Sequence, residues 1–169
     1  IRPATFSDCG SLLAVNFPKT IDSIQESAFL NCAQLGVLDM TDTRITYIGK
    51  KAFMGATALS SVHFGQDLVE IQSHAFSGCN SLKSLYIPSK TLLFPSSFAG
   101  LTSLKTLKAP ATVSKKFMEI YFPDSVKSIE TVIFDNSTTH IEDESFSGCE
   151  KIYGVDIPDS VSRIGRLAF

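Results

Sequence analysis

Ala-Phe-Ser-Gly-Cys-Asn-Ser-Leu-Lys-Ser-Leu-Tyr-Ile-Pro, residues 75–88, contains the unit from which the whole chain is built. Its apolar residues fall at Phe76, six positions on at Leu82, three further at Leu85 and two further at Ile87, just before Pro88. Outward from this stretch the Phe recurs at Phe6, Phe29, Phe53, Phe76, Phe98, Phe122, Phe146 and Phe169, with spacings of 23, 24, 23, 22, 24, 24 and 23 residues. A period of this length means that one unit cannot bury its own apolar face and must stack on its neighbours, so the chain is a solenoid and its function is sought on a surface.

The other columns follow from the same alignment. Leu12, Leu35, Leu59, Leu82, Leu104 and Ile152 stand six after the Phe; Val15, Leu38, Val62, Leu85, Leu107 and Val155 stand nine after. Phe17, Met40, Phe64, Ile87, Ala109 and Ile157 complete each set, and Pro18, Pro88, Pro110 and Pro158 close it. Spacings of three and two predict a short strand with alternate side chains inward, one rung of a parallel sheet per unit. Ile1, Ile24, Ile48, Ile71, Leu93, Ile141 and Ile164, five before the Phe, return each coil to the core. The remaining stretch is too short for an ordinary helix and predicts tight turns or a few residues of 3₁₀ helix around the Ala-Phe.

Composition sets limits on function. Hydrophobic residues are 44% of the chain, charged residues 19%, and no apolar run approaches the length of a membrane span. Fifteen Lys and Arg against seventeen Asp and Glu leave a net charge of −2, far from the basic balance that nucleic acid requires. Ile1–Phe6 and Ile164–Phe169 each lie inside a repeat, with no signal peptide and no polar cap, which leads us to expect one repeat domain over residues 1–169. It would be a piece of a longer array of seven to eight coils.

The motifs Ile-Gly-Lys-Lys-Ala-Phe (48–53), residues 75–88 and residues 145–165, with Ser-Phe-Ser-Gly-Cys, Val-Asp-Ile-Pro-Asp-Ser-Val and Ile-Gly, resemble the BspA-like leucine-rich repeats. The resemblance covers nearly the entire chain. It implies a curved right-handed coil with a parallel sheet on the concave face and turns or 3₁₀ segments on the convex side. It also implies a surface-exposed or secreted protein that adheres to host proteins or other cells.

Motif-like clusters have simpler readings. Cys9, Cys32, Cys79 and Cys149 each follow a repeat Phe by three residues and share one position with Ala56, Leu101 and Ser125. Side chains stacked in this way run parallel, so free buried thiols packed as small hydrophobes are expected. No Cys-x-x-Cys pair supports zinc or dithiol chemistry. Thr20, Thr43, Asp67, Lys90, Thr112, Ser137 and Ser160 form a column suited to satisfying backbone groups where the coil turns. His63, His74 and His140 fall at three phases of the repeat, on a strand, a turn and a return leg, so they do not converge on a catalytic centre. Gly78, Gly100 and Gly148 sit two after the Phe, where a turn wants positive φ, and make no phosphate-binding pattern. We therefore expect no enzyme activity, no catalytic residues, no metal and no cofactor.

A binding surface remains. The residue between the last two inward positions of each strand faces outward: Asn16, Asp39, His63, Tyr86, Lys108, Ile133 and Asp156. Ala14, Val37, Ser61, Ser84, Thr106, Thr131 and Gly154 lie beside them. These positions vary while the buried ones repeat, and Tyr86, Lys108 and Ile133 mark the centre as the expected hot spot. The partner expected is a protein, from the host extracellular matrix or another cell surface; a spacer that presents another domain is the alternative.

Residues 110–128 depart from the pattern, with Phe122 keeping the phase and the next strand one residue late. Two readings stand: a short helix bulging from the convex side as a binding loop, or a degenerate repeat whose Phe117, Met118, Ile120 and Tyr121 refill the core. Asn136-Ser137-Thr138 matches an N-glycosylation acceptor at a strand end.

Overall fold

The computed structural model describes all of residues 1–169. Six three-residue strands lie parallel along one face: Val37–Asp39 (β2), Ser61–His63 (β4), Ser84–Tyr86 (β6), Thr106–Lys108 (β8), Thr131–Ile133 (β9) and Gly154–Asp156 (β11). A parallel bridge from Ala14 to Val37 adds a rung before them. In β2 through β9 the middle residue, Leu38, Val62, Leu85, Leu107 or Val132, is buried and its two neighbours are not, which is the expected alternation.

The return legs are not merely turns. They carry a second set of parallel strands, two residues each: Ser23–Ile24 (β1), Tyr47–Ile48 (β3), Glu70–Ile71 (β5), Leu92–Leu93 (β7), His140–Ile141 (β10) and Arg163–Ile164 (β12). β1, β3, β5 and β7 pair in that order and β10 pairs with β12. Ile24, Ile48, Ile71 and Ile141 are buried as expected and Ile1 and Leu93 partly so, whereas Ile164 in the last coil is exposed, with no following coil to cover it. The strands themselves were not foreseen, because one inward residue in two has no period to reveal. The segments around Ala-Phe are turns, and no 3₁₀ helix forms there.

The reason is a pair of left-handed residues in nearly every coil. One stands two before the Phe (Ala4, Ser27, Lys51, His74, Ser96, Glu144, Leu167) and one two after it (Asp8, Asn31, Gly55, Gly78, Gly100, Gly148), all with φ between 53° and 79°. Left-handed backbone breaks a helical run and swings the flanking N–H groups toward the next coil. Phe29 N–H donates to Ala52 C=O at 2.8 Å, Phe53 to Ala75 at 2.7 Å and Phe76 to Ser97 at 2.8 Å. Of 94 backbone hydrogen bonds only 13 lie within helices and strands, so the turns are hydrogen-bonded ladders in their own right.

Between the two sets of strands the Phe rings form a continuous column. Neighbouring centroids from Phe6 to Phe122 are 4.8–5.4 Å apart with planes within 16° of parallel. A buried Phe stabilises by roughly 1.5–3 kcal/mol through area alone and stacking adds about 0.5–1.5 kcal/mol. The column is therefore a continuous stabilising element inside one core of 39 residues.

The irregular coil takes one feature from each reading of the sequence, a short helix and a partly refilled core. Phe117–Tyr121 form a short helix (α1), and Phe117 and Met118 are buried in the core, while Ile120 and Tyr121 are only partly covered. Phe122 keeps the phase with its ring but not with its backbone. The left-handed residue is Lys116, and Met118, two after it, donates to Ser145 C=O as the Phe does in the other coils. One helical turn then carries the chain to Phe122, whose N–H bonds to Met118 C=O at 2.9 Å. The added turn delays β9 by one residue.

Candidate interaction face

Asp39, His63, Tyr86, Lys108 and Ile133 lie where the alternation places them; Asn16 is exposed but outside any strand, and at Asp156 the alternation is lost because Val155 beside it is also exposed. Asp39 pairs in register with His63, Tyr86 with Lys108, Lys108 with Ile133 and Ile133 with Asp156. Asn16, Asp39, His63, Tyr86 and Asp156 are exposed, and Lys108 and Ile133 half-buried. Ser61, Ser84, Thr106, Thr131 and Gly154 form the adjoining small-residue column, because they open the same three-residue strands.

This face is divided, and no sequence feature marks the division. β2 pairs only with β4, and β6, β8, β9 and β11 form a separate ladder, although β4 and β6 are neighbours in the stack. Met40 N–H reaches His63 C=O at 2.8 Å, Ile87 reaches Lys108 at 3.0 Å and Ala109 reaches Ile133 at 2.9 Å, yet the equivalent bond from Phe64 to Tyr86 is not made. A cleft of about 150 Å³ lies along this seam, lined by Thr41, His63, Phe64 and Gln66 on one side and by Tyr86, Ser89, Lys108 and Asp135 on the other. Asp135, beyond the strand end, was not among the residues named from the sequence; its position after Phe134 in the late coil brings it to Lys108.

The acids of this region are held by hydrogen bonds from their own turns. Asp39 Oδ1 accepts from the Thr41 N–H at 3.0 Å and hydroxyl at 2.7 Å, and Asp135 Oδ1 accepts from Ser137 N–H at 2.9 Å and Oγ at 2.5 Å. These bonds hold both carboxyls below the ordinary carboxylate range. Lys108 Nζ is 4.0 Å from Asp135 Oδ2, a loose pair, whereas Lys105 and Glu130 meet at 2.6 Å. His63 shares a hydrogen bond of 2.9 Å with Ser61 Oγ. Asn16 and Asp39 line a second hollow with Lys19 and Asp42, and Asp156 a third with Asn136 and Asp159.

The four cysteines are free, with Cys32, Cys79 and Cys149 buried; Cys9 is exposed and corrects the expectation of a fully buried column. Cys32 Sγ donates to Phe6 C=O at 3.1 Å and Cys79 Sγ to Phe53 C=O at 3.4 Å, and burial pushes the Cys79 thiol up to about 12 and that of Cys149 to about 11. In the turn column Thr43 is buried and donates to Met40 C=O at 2.8 Å; near Lys90 the work passes to Thr91, which donates to Leu68 C=O at 3.1 Å. His63 lies on β4, His74 in a turn and His140 on β10. No group of three or more His, Cys, Asp or Glu is arranged to hold a metal ion, and no helix is long and apolar enough to cross a membrane. In the glycosylation motif Asn136 and Ser137 are exposed and Thr138 is fully buried.

A parallel solenoid with one three-residue strand and one hydrogen-bonded turn per coil of about 23 residues, with apolar columns in register, defines the leucine-rich repeat class. The chain belongs to the BspA type leucine-rich repeat family, whose model matches in six copies over residues 1–125 and 116–169. It is similar in structure to a leucine-rich repeat protein of T. pallidum, with TM-score 0.67 and 24% identity over 90% of this chain and 73% of that one. It is also similar to a leucine-rich cell surface protein of Faecalibacterium prausnitzii A2-165, with TM-score 0.57 and 26% identity over 85% of this chain. There the match spans 31% of the longer protein. No curated protein sequence matches the chain.

Proposed function

We propose that this chain is a protein-interaction module of a surface or secreted repeat protein and that it adheres to its partner through the face of three-residue strands. The observation that carries the proposal is the contrast along that face: the inward residue of successive strands is always aliphatic, whereas the outward one runs through acid, imidazole, phenol, amine and alkyl. A rigid ladder that holds chemically different side chains about 4.8 Å apart is suited to recognising an extended protein surface. The leucine-rich protein of F. prausnitzii is described as a cell surface protein, which supports the location. The repeat fold is typically non-enzymatic, and the partner class is a matrix or cell-surface protein.

The test is capture of extracellular-matrix and cell-surface proteins by the native chain and by a variant carrying Tyr86→Ala, Lys108→Glu and Ile133→Asp. Loss of a captured partner with an unchanged thermal midpoint supports the face. A partner retained equally by both overturns it, and capture of nothing by either moves the assignment to a spacer.

A further inference from the structure

We infer that the seam between β4 and β6 receives a single carboxylate side chain from a protein partner, with Lys108 as its counter-charge and the Tyr86 ring as its apolar wall. This rests on the reading of the strand face as an interaction surface and adds the chemistry of what is recognised. The cleft lies where the two ladders part, so it is a recess in an otherwise continuous pleated face, with Tyr86 half-exposed at 50% above it.

Charge decides the occupant. Asp135 is the more covered member of the nearby ion pair, and Ser137 already donates twice to one of its oxygens. Lys108 keeps a side-chain exposure of 40%, has three N–H donors and meets its one charged partner only at 4.0 Å. Asp135 Oδ2 is likewise engaged only by that pair, but its side chain is 21% exposed against 40% for Lys108, so the central charge more open to a ligand is the cation. Asp39 and Asp156, at outer rungs of the same face, oppose a uniformly acidic ligand and select one acid flanked by uncharged residues. Tyr86 and Ile133 stand in register on either side of Lys108 and offer apolar contact to those flanks.

Fluorescein-labelled nonapeptides of the form Gly-Ser-Gly-Leu-X-Leu-Gly-Ser-Gly, with X as Glu, Gln or Lys, test this by anisotropy at low ionic strength. The Glu peptide is expected to bind about fivefold more tightly than the Gln peptide, the size of one solvent-accessible ion pair. Lys108→Gln is expected to erase that preference, and Lys115→Gln, off this face, to keep it. No binding of the Glu peptide, equal binding of all three, selection of the Lys peptide, or a preference that survives Lys108→Gln each overturns the inference. If the carboxylate preference fails while Tyr86→Ala still abolishes capture of a protein partner, the face stands and only its chemistry is wrong.

Discussion

The Phe117 ring stands 5.9 Å from that of Phe146 and 5.6 Å from that of Phe122, between the two in the aromatic column. Phe122 stacks on Phe98 at 4.8 Å as a register Phe does, so a residue outside the repeat register joins the two parts of the stack. The turn of helix that carries it makes room for one more ring. An insertion that looks like decay of the repeat thus preserves the continuity of the core.

Phe117→Ala should therefore cost as much as loss of a register Phe, about 3–5 kcal/mol by urea denaturation. Phe117→Leu should cost roughly half, because it leaves a smaller cavity. A loss below about 1 kcal/mol for the alanine variant would show that the ring does not bridge the column.

Gly100→Ala should destabilise by about 1–2 kcal/mol. Its φ is +77°, and an added Cβ would stand 3.0 Å from Gly78 N and 3.1 Å from Gly78 Cα in the preceding coil. Gly10→Ala meets nothing within 4 Å and should be within about 0.5 kcal/mol of native. Equal thermal midpoints for the two variants would refute the turn ladder as a close backbone contact.

Alkaline pH should expose the buried thiols. Burial raises Cys79 to about 12 and Cys149 to about 11, and unfolding returns both to about 8.5. A raised folded value gives stability that is complete below the unfolded value and lost as pH climbs through the folded one, so the thiols' contribution should be flat below about pH 8.5 and stability should fall from there toward pH 12. Cys79→Ala should make that alkaline decline shallower, and Cys9 alone should react with a thiol reagent in the native protein at neutral pH. Rapid modification of Cys79 in folded protein would contradict its burial.

The seam on the strand face should be visible in amide exchange. Phe64 N–H has no hydrogen-bond partner, whereas Met40 and Ile87 at equivalent positions donate to His63 and Lys108. The Phe64 amide should exchange faster than either neighbour by at least about tenfold, since opening costs it no ladder bond. Equal protection at the three positions would close the seam.

The repeat columns were legible because burial in a solenoid is strictly periodic: Phe29, Leu35, Leu38 and Met40 must face inward, and the same requirement returns in each coil. Local backbone chemistry was legible too, since Gly78, Gly100 and Gly148 mark left-handed positions. The partner position in each coil, two before the Phe, is occupied by Lys51, His74 or Glu144, residues that advertise nothing, and its conformation is imposed by hydrogen bonds to the next coil. The sequence alone therefore determined the solenoid, the buried residues of the inner coils and the outward direction of Asp39, Tyr86 and Lys108. Only tertiary structure decided that β4 and β6 part, that Asp135 meets Lys108 and that Phe117 enters the column. Each of these depends on how one coil settles on another, a relation between residues more than twenty positions apart that no local period encodes.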